Sequence, residues 1–265
     1  MAVGKELLIG RTLNTNAYWA GRRLARMGSM LKQVTVVDDD LEEISSALRS
    51  IAKRAPDILV VVGGLGPTPD DMTLKGVARG LGVPIKRDPG ALRLIMEHYA
   101  KRGLQAIELT PARVKMSMLP AGSEPVPNPA GTAPGVKLAA GKTTVYCLPG
   151  VPAEMHVMFR RSVEPDVRRR LGKMHRKYIT LKLEGVFEST LAPLIAQELR
   201  RHPGAYIKSH PRGIKEGLSQ IELDIAVVGE DVRRTDEEGE RIAQEMTKGA
   251  EVAGGKVTRF RIPRG

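Results

Sequence analysis

The run Asp57-Ile58-Leu59-Val60-Val61-Val62-Gly63-Gly64-Leu65-Gly66-Pro67-Thr68-Pro69-Asp70-Asp71-Met72-Thr73 is the most informative in the sequence. Its first half is apolar without alternation and lies between Pro56 and Gly63. That is the pattern of a short strand buried on both faces. The glycines that follow let the backbone turn sharply and let an anion approach the N–H groups with no Cβ in the way. From Asp70 to Gly82 the pattern predicts a helix, whose amino terminus adds partial positive charge. Strand, glycine loop and helix together place a ligand at the carboxyl end of a strand in an open α/β sheet. The run matches neither the dinucleotide fingerprint nor the lysine-bearing phosphate loop. A tight turn with Asp70 and Asp71 stabilising a helix start is the plainer alternative.

Strand and helix patterns alternate on both sides of this run. Towards the amino terminus, Met1–Val3 reads as a strand end. Asn16–Met27 reads as a helix capped by Asn14 or Asn16 and closed by Gly28. Gln33–Val37 is a short β-rich run, and Leu41–Ala55 has apolar residues at helical spacing. In the other direction come a helix at Ala91–Gly103 and a Pro- and Gly-rich stretch at Leu119–Gly135. A strand at Thr143–Leu148 and a helix at Pro152–Leu171 follow. Residues 1–172 therefore predict an α/β domain, a mostly parallel sheet between two layers of helices. Residues 177–265 change character: strand Tyr178–Leu183, helix Ser189–Arg201, strands Ala205–Ser209 and Ser219–Val228, helix Asp231–Glu251 and strand Lys256–Ile262. This β-α-β-β-α-β order predicts a smaller two-layer α+β domain of ferredoxin-like type.

Composition bounds the function. With a single cysteine, Cys147, no intramolecular disulfide, zinc cluster or cysteine redox pair can form. No apolar run is long enough to span a membrane, the amino terminus lacks the apolar run of a secretory signal, and the expected compartment is the cytoplasm. Lys and Arg number 42 against 30 Asp and Glu, a net charge of +12 that favours polyanionic partners.

Acidic groups stand beside the anion loop. Asp70 and Asp71 would repel a phosphate unless a divalent cation lay between them, which fits Mg²⁺ or a similar hard ion. A second acidic run, Asp38-Asp39-Asp40, follows the strand ending at Val37 and should lie on the same rim; capping of the next helix is its plainer reading. Two further loops, Asn128–Gly135 and Leu148–Met155, combine small residues with prolines and form rigid backbone walls. Pro152 suits the first turn of a helix.

Taken together, Glu6–Asn16, Gly63–Thr73, Asn128–Gly135 and Leu148–Met155 resemble the amino-terminal domain of the competence-damage-inducible protein A (CinA) family. That domain is similar to the molybdopterin-binding fold of MoaB and MogA. The resemblance covers roughly residues 1–172, and Gly204–Pro211 resembles the family's second, KH-like domain. It implies a metal-dependent hydrolase that splits ADP-ribose into AMP and ribose 5-phosphate. Asp39 and Asp71 would be catalytic, and with Asp70 would hold Mg, Mn or Co. Gly63, Gly64 and Gly66 would bind phosphate, with Glu6, Asn14, Thr132, Pro149 and Gly150 completing the substrate walls. A homodimer is implied as well. Longer family members carry a nicotinamide mononucleotide deamidase domain, which this sequence does not reach, so that activity is expected to be absent. The first strand looks clipped at Met1.

Adenylyl transfer to a pterin, as in molybdenum cofactor biosynthesis, is the alternative on the same fold; a non-catalytic nucleotide sensor or a nucleic-acid binder is a third. The basic stretch Arg160–Lys177 could meet phosphates, but Phe159 and Tyr178 are its only neighbouring aromatics, so a solvated helix face is the preferred reading and nucleic acid is not the expected partner. His98, His156 and His175 are expected in packing or surface roles, and Lys208, His202 and His210 at the surface. Cys147 is expected to be a small buried hydrophobe.

Overall fold

The computed structural model describes residues 1–103 and 108–260. The last two residues of the strand predicted at Lys256–Ile262 lie outside the described residues. The chain divides into two compact units, Met1–Ala25 with Ser29–Arg170, and Arg26–Gly28 with the chain from Leu171 onward.

In the first unit the elements are β1 (Ala2–Val3), α1 (Lys5–Leu8), α2 (Thr15–Arg26), β2 (Val36–Val37), α3 (Leu41–Lys53), β3 (Ile58–Val62) and α4 (Thr73–Leu81). They continue with β4 (Ile85–Arg87), α5 (Pro89–Ala100), α6 (Pro111–Lys115), β5 (Met118–Pro120), β6 (Glu124–Val126), β7 (Gly135–Ala140), β8 (Thr143–Leu148), α7 (Pro152–Met158) and α8 (Glu164–Leu171). The main sheet has the order β2-β1-β3-β8-β7-β6. The pairs β2–β1, β1–β3 and β3–β8 are parallel, and β7 and β6 add an antiparallel edge.

The side chains of β8 show why helices cover both faces. Val145 and Cys147 point into a core shared with Leu59 and Val61 of β3, Ile44 and Leu48 of α3, Val77 of α4 and Ile95 of α5. Tyr146 and Leu148 point the other way and are equally buried. There the Tyr146 hydroxyl donates to Asp166 of α8 at 2.6 Å. Burial first, then this bond, raises the Tyr146 pKa. Cys147 is free and fully enclosed, and burial pushes its thiol up to about 12.

Several expected boundaries move, each for a local reason. The helix after the glycine loop starts at Thr73 rather than Asp70, because residues 68–71 close a turn in which Asp71 N–H donates to Thr68 O at 3.1 Å. The helix read through Pro152–Leu171 is interrupted by a π-type turn at Phe159–Val163. Pro165 follows at once, lacking an N–H and crowding the carbonyl one turn back. The stretch Leu119–Gly135 contains β6 and the end of β5, and β7 follows it.

The second unit contains β9 (His175–Glu184), α9 (Glu188–Arg201), β10 (Tyr206–Lys215), β11 (Leu218–Gly229), α10 (Val232–Val252) and β12 (Lys256–Phe260). Its antiparallel sheet has the order β10-β11-β9-β12, the arrangement of two interlocked β-α-β units. Ile179, Leu181 and Leu183 of β9 and Leu223, Ile225 and Val227 of β11 meet Ile242 and Met246 of α10 in a separate core. β10 runs past the expected end at Ser209 through Pro211, with a register shift between Pro211 and Gly213. Proline is tolerated there because β10 is an edge strand.

Candidate functional site

Because β1, β2, β3 and β8 are parallel, their carboxyl ends share one edge of the sheet. The residues after them are Gly4 to Glu6, Asp38 to Asp40, Gly63 with Gly64, and Pro149 with Gly150. A cavity of about 280 Å³ opens on this edge, at the lower end of ligand pockets. Its walls include Glu6, Asn14, Asp39, Gly63, Gly64, Asp70, Asp71 and Gly150. Eight of the sequence-named positions thus come together. Gly66, Thr132 and Pro149 do not line the cavity.

The glycines divide the labour expected of them. Gly63 has φ 109°, and its N–H donates to Leu148 O at 3.0 Å. It forms the corner of the loop on the cavity wall, and a Cβ there would strike the Val3 carbonyl oxygen. Gly64 has φ 62° and exposes its backbone to the cavity, with α4 starting behind it where Thr73 N–H donates to Gly64 O at 3.2 Å. Gly66 lets the Asp71 carboxylate fold back, since a Cβ there would sit 2.6 Å from Asp71 Oδ2.

The three acidic residues have different surroundings. Asp39 accepts the Lys5 backbone N–H at 2.9 Å. Burial raises its pKa, the Lys5 N–H opposes this, and Glu6, Asp38 and Asp70 add to the rise. Asp71 accepts from Thr68 N–H at 2.8 Å and from Thr68 Oγ1 at 2.6 Å, so it braces the loop. Asp40 caps α3, accepting from Glu42 and Glu43 N–H. Among the described residues no three His, Cys, Asp or Glu side chains are arranged to hold a metal ion. The expected ligand trio Asp39, Asp70 and Asp71 is therefore not a ready-made cage, because Asp71 is turned to Thr68. The donor set fits a hard cation held by one or two carboxylates and by a ligand's phosphate oxygens.

Two residues outside the expected set matter. Asn16 donates from Nδ2 to Gly150 O at 2.7 Å, tying α2 to the loop after β8. Its buried Oδ1 has no hydrogen-bond partner, and neither has Thr73 Oγ1 against Gly64. Asn16 lines the cavity, so its unpaired Oδ1 marks where a ligand or water completes the bonding, whereas Thr73 is fully buried and does not line it. Lys115, at the end of α6, donates to Gly66 O at 3.4 Å and to Thr68 O, and holds the acidic turn from behind. Burial lowers its pKa, Asp71 and Asp70 oppose this, and Lys75 adds to the lowering. Asn16 was visible within the motif it shares with Asn14, whereas nothing local marks Lys115. Around Thr132, the loop is knitted to α7 by Asn128, which donates to Glu154 Oε2 at 2.7 Å and to Ala133 O at 2.9 Å.

The histidines do not enter the cavity. His156 stacks on Trp19 with ring centroids 3.9 Å apart, and His98 packs edge-on to Tyr99. In the second unit His175 pairs with Asp236, His202 with Glu238 and His210 with Asp224.

Comparison with known proteins places the fold of the first unit in a family. A protein of Aeropyrum pernix is 40% identical over 258 residues, covering 97% of this chain and 95% of the relative. Protein Ta0487 of Thermoplasma acidophilum is 38% identical over 231 residues, 87% of each chain. The crystal structure of the protein CinA, described as of unknown function, from Thermoplasma acidophilum matches with a TM-score of 0.57 at 43% identity. That match covers 63% of this chain and 95% of that one. Residues 1–169 match the family described as a probable molybdopterin binding domain, and the chain belongs to that family.

Proposed function

We propose that the cavity binds the phosphate of a molybdopterin or nucleotide ligand, and that the chain transfers an adenylyl group from ATP to the phosphate of a pterin, with pyrophosphate leaving, as in molybdenum cofactor biosynthesis. The observation that carries the reading is the Gly63–Gly64 corner at the joined strand ends, with Asp39 and Asp70 on the cavity wall and α4 behind it. Family membership supports the pterin as acceptor. A divalent cation (Mg, Mn or Co) held by Asp39 or Asp70 and the phosphate would neutralise charge and polarise the phosphoryl group when bound. The chain's own residues do the positioning. Gly64 presents backbone to the anion, Asn16 Oδ1 meets a ligand donor, and Asp71 with Lys115 keeps the Gly66–Asp71 turn in shape.

Hydrolysis of ADP-ribose is the narrower alternative. It rests on the motif resemblance alone. Both reactions use the same anion loop. A homodimer, a KH-like role for the second unit and a cytoplasmic location complete the proposal. For the last of these, no helix among the described residues is long and apolar enough to cross a membrane.

The deciding experiment titrates AMP, ATP and ADP-ribose into the protein by calorimetry, with Mg²⁺ and with chelator. Product analysis with molybdopterin plus ATP, and with ADP-ribose alone, then follows. Adenylylated pterin supports the main reading, and AMP from ADP-ribose supports the alternative. Absence of binding by all three nucleotides overturns both. Asp71→Asn is expected to reduce turnover by about 100-fold through misplacement of the loop, with the thermal midpoint kept.

A further inference from the structure

The sheet of the second unit has one face on α9 and α10; the residues between its core positions form the other, which Gly28 covers at the Arg176–Val228 row. Strand register places them in rows: Tyr178, Ala226 and Tyr206 in one, Thr180, Asp224 and Lys208 in the next, Lys182, Glu222 and His210 in a third. From this arrangement we infer that the face is a platform for single-stranded nucleic acid, with Tyr178 and Tyr206 as stacking surfaces for two bases.

Aromatic residues are scarce in this chain, yet two of its five tyrosines occupy one row. Tyr178 and Tyr206 are 41% and 51% exposed, and Ala226 between them is a buried, flat floor. Two inter-strand spacings put the pair about 10 Å apart. Four-stranded sheets that present aromatics in this way hold two or three splayed bases of a single strand.

The Tyr178 ring is held in place beforehand. Its hydroxyl is hydrogen-bonded to Asp224, which also accepts from Thr180 Oγ1 at 2.8 Å and lies 3.2 Å from His210 Nε2. A ring fixed this way loses little freedom when a base lands on it. The Arg176 guanidinium lies 5.6 Å from the ring centre. The acids in the middle of the face are already matched, Asp224 by these donors and Glu222 by Arg212 at 2.6 and 3.0 Å. Lys208 is exposed beside them and suits a phosphate. The inference is independent of the ligand in the first unit's cavity.

The test uses the full chain and fluorescein-labelled ten-residue oligouridine and oligodeoxythymidine, followed by anisotropy at rising salt. The expected result is salt-sensitive binding of at least one strand, and preference between the two identifies the sugar. Tyr206→Ala and Tyr178→Ala should each weaken binding about 5- to 100-fold. Tyr206→Phe and Tyr178→Phe should stay within a few-fold, and Lys208→Gln should lower the salt slope by about one. Tyr206 is exposed on an edge strand, so its variants keep the fold, which circular dichroism verifies. Two outcomes overturn the inference: neither strand binds to folded protein, or binding is unchanged in Tyr178→Ala/Tyr206→Ala, which would place the strand elsewhere.

Discussion

Gly63 carries two demands at once, a φ of 109° and close approach of its Cα to the Val3 carbonyl. Gly63→Ala meets both penalties, and urea unfolding should show a loss of about 1–3 kcal/mol. At Asp39 function and stability oppose each other. Its carboxyl has a raised pKa in the folded chain, so it holds its proton to higher pH than in the unfolded chain. Stability from that difference is present at low pH and is lost as pH rises through the raised value. In chelator-treated buffer, Asp39→Asn should have a higher thermal midpoint than the parent at pH 7, and the gap should close towards pH 4. The same variant should lose cation-dependent nucleotide binding. An equal midpoint at both pH values would count against the burial argument.

At the scale of elements, the β10–β11 hairpin is a clear case of tertiary context overriding local signals. Pro211 and Gly213 read as breakers, yet the strand passes through them with a bulge, and the hairpin closes through Glu216 at φ 52° and Gly217 at φ 78°. Two positive φ values are the signature of a type I′ turn, in which Asn precedes Gly by preference. Glu216→Asn should therefore raise stability by about 0.5 kcal/mol or more, readable as a higher thermal midpoint of the second unit. The strand β3 was legible because no polar residue interrupts Ile58–Val62, although only Leu59 and Val61 are buried and the expected burial of both faces is partial; β8 was legible from Val145 to Leu148. The start of α4 was not, because Asp70 and Asp71 look like first-turn acids until the Thr68–Asp71 turn is seen. Of the eight cavity residues, Gly63, Gly64, Asp39, Asp70, Asp71 and Gly150 were readable from strand ends and glycine loops, and Glu6 and Asn14 only through the family resemblance. Lys115 reaches the loop through the return of α6, which no local pattern reports.

For the whole molecule, two separate cores predict two unfolding events. Scanning calorimetry with increasing AMP should move the transition of the first unit upward by mass action and leave that of the second in place. A single transition displaced as one would show that the two cores unfold together. Charge acts at this scale too. The excess of 12 positive charges raises encounter rates with any anionic ligand, and the effect weakens with salt.

The lone thiol of Cys147 supplies the chain with a built-in clock. It sits with no exposed surface on the strand between β3 and β7, and its high pKa keeps the reactive thiolate rare. An alkylating dye can reach it only while that sheet parts, so the labelling rate counts openings of the first unit one at a time. A ligand that closes over the Gly63 corner, whose N–H is held by the carbonyl one residue beyond the cysteine, would slow the clock without touching the sulfur.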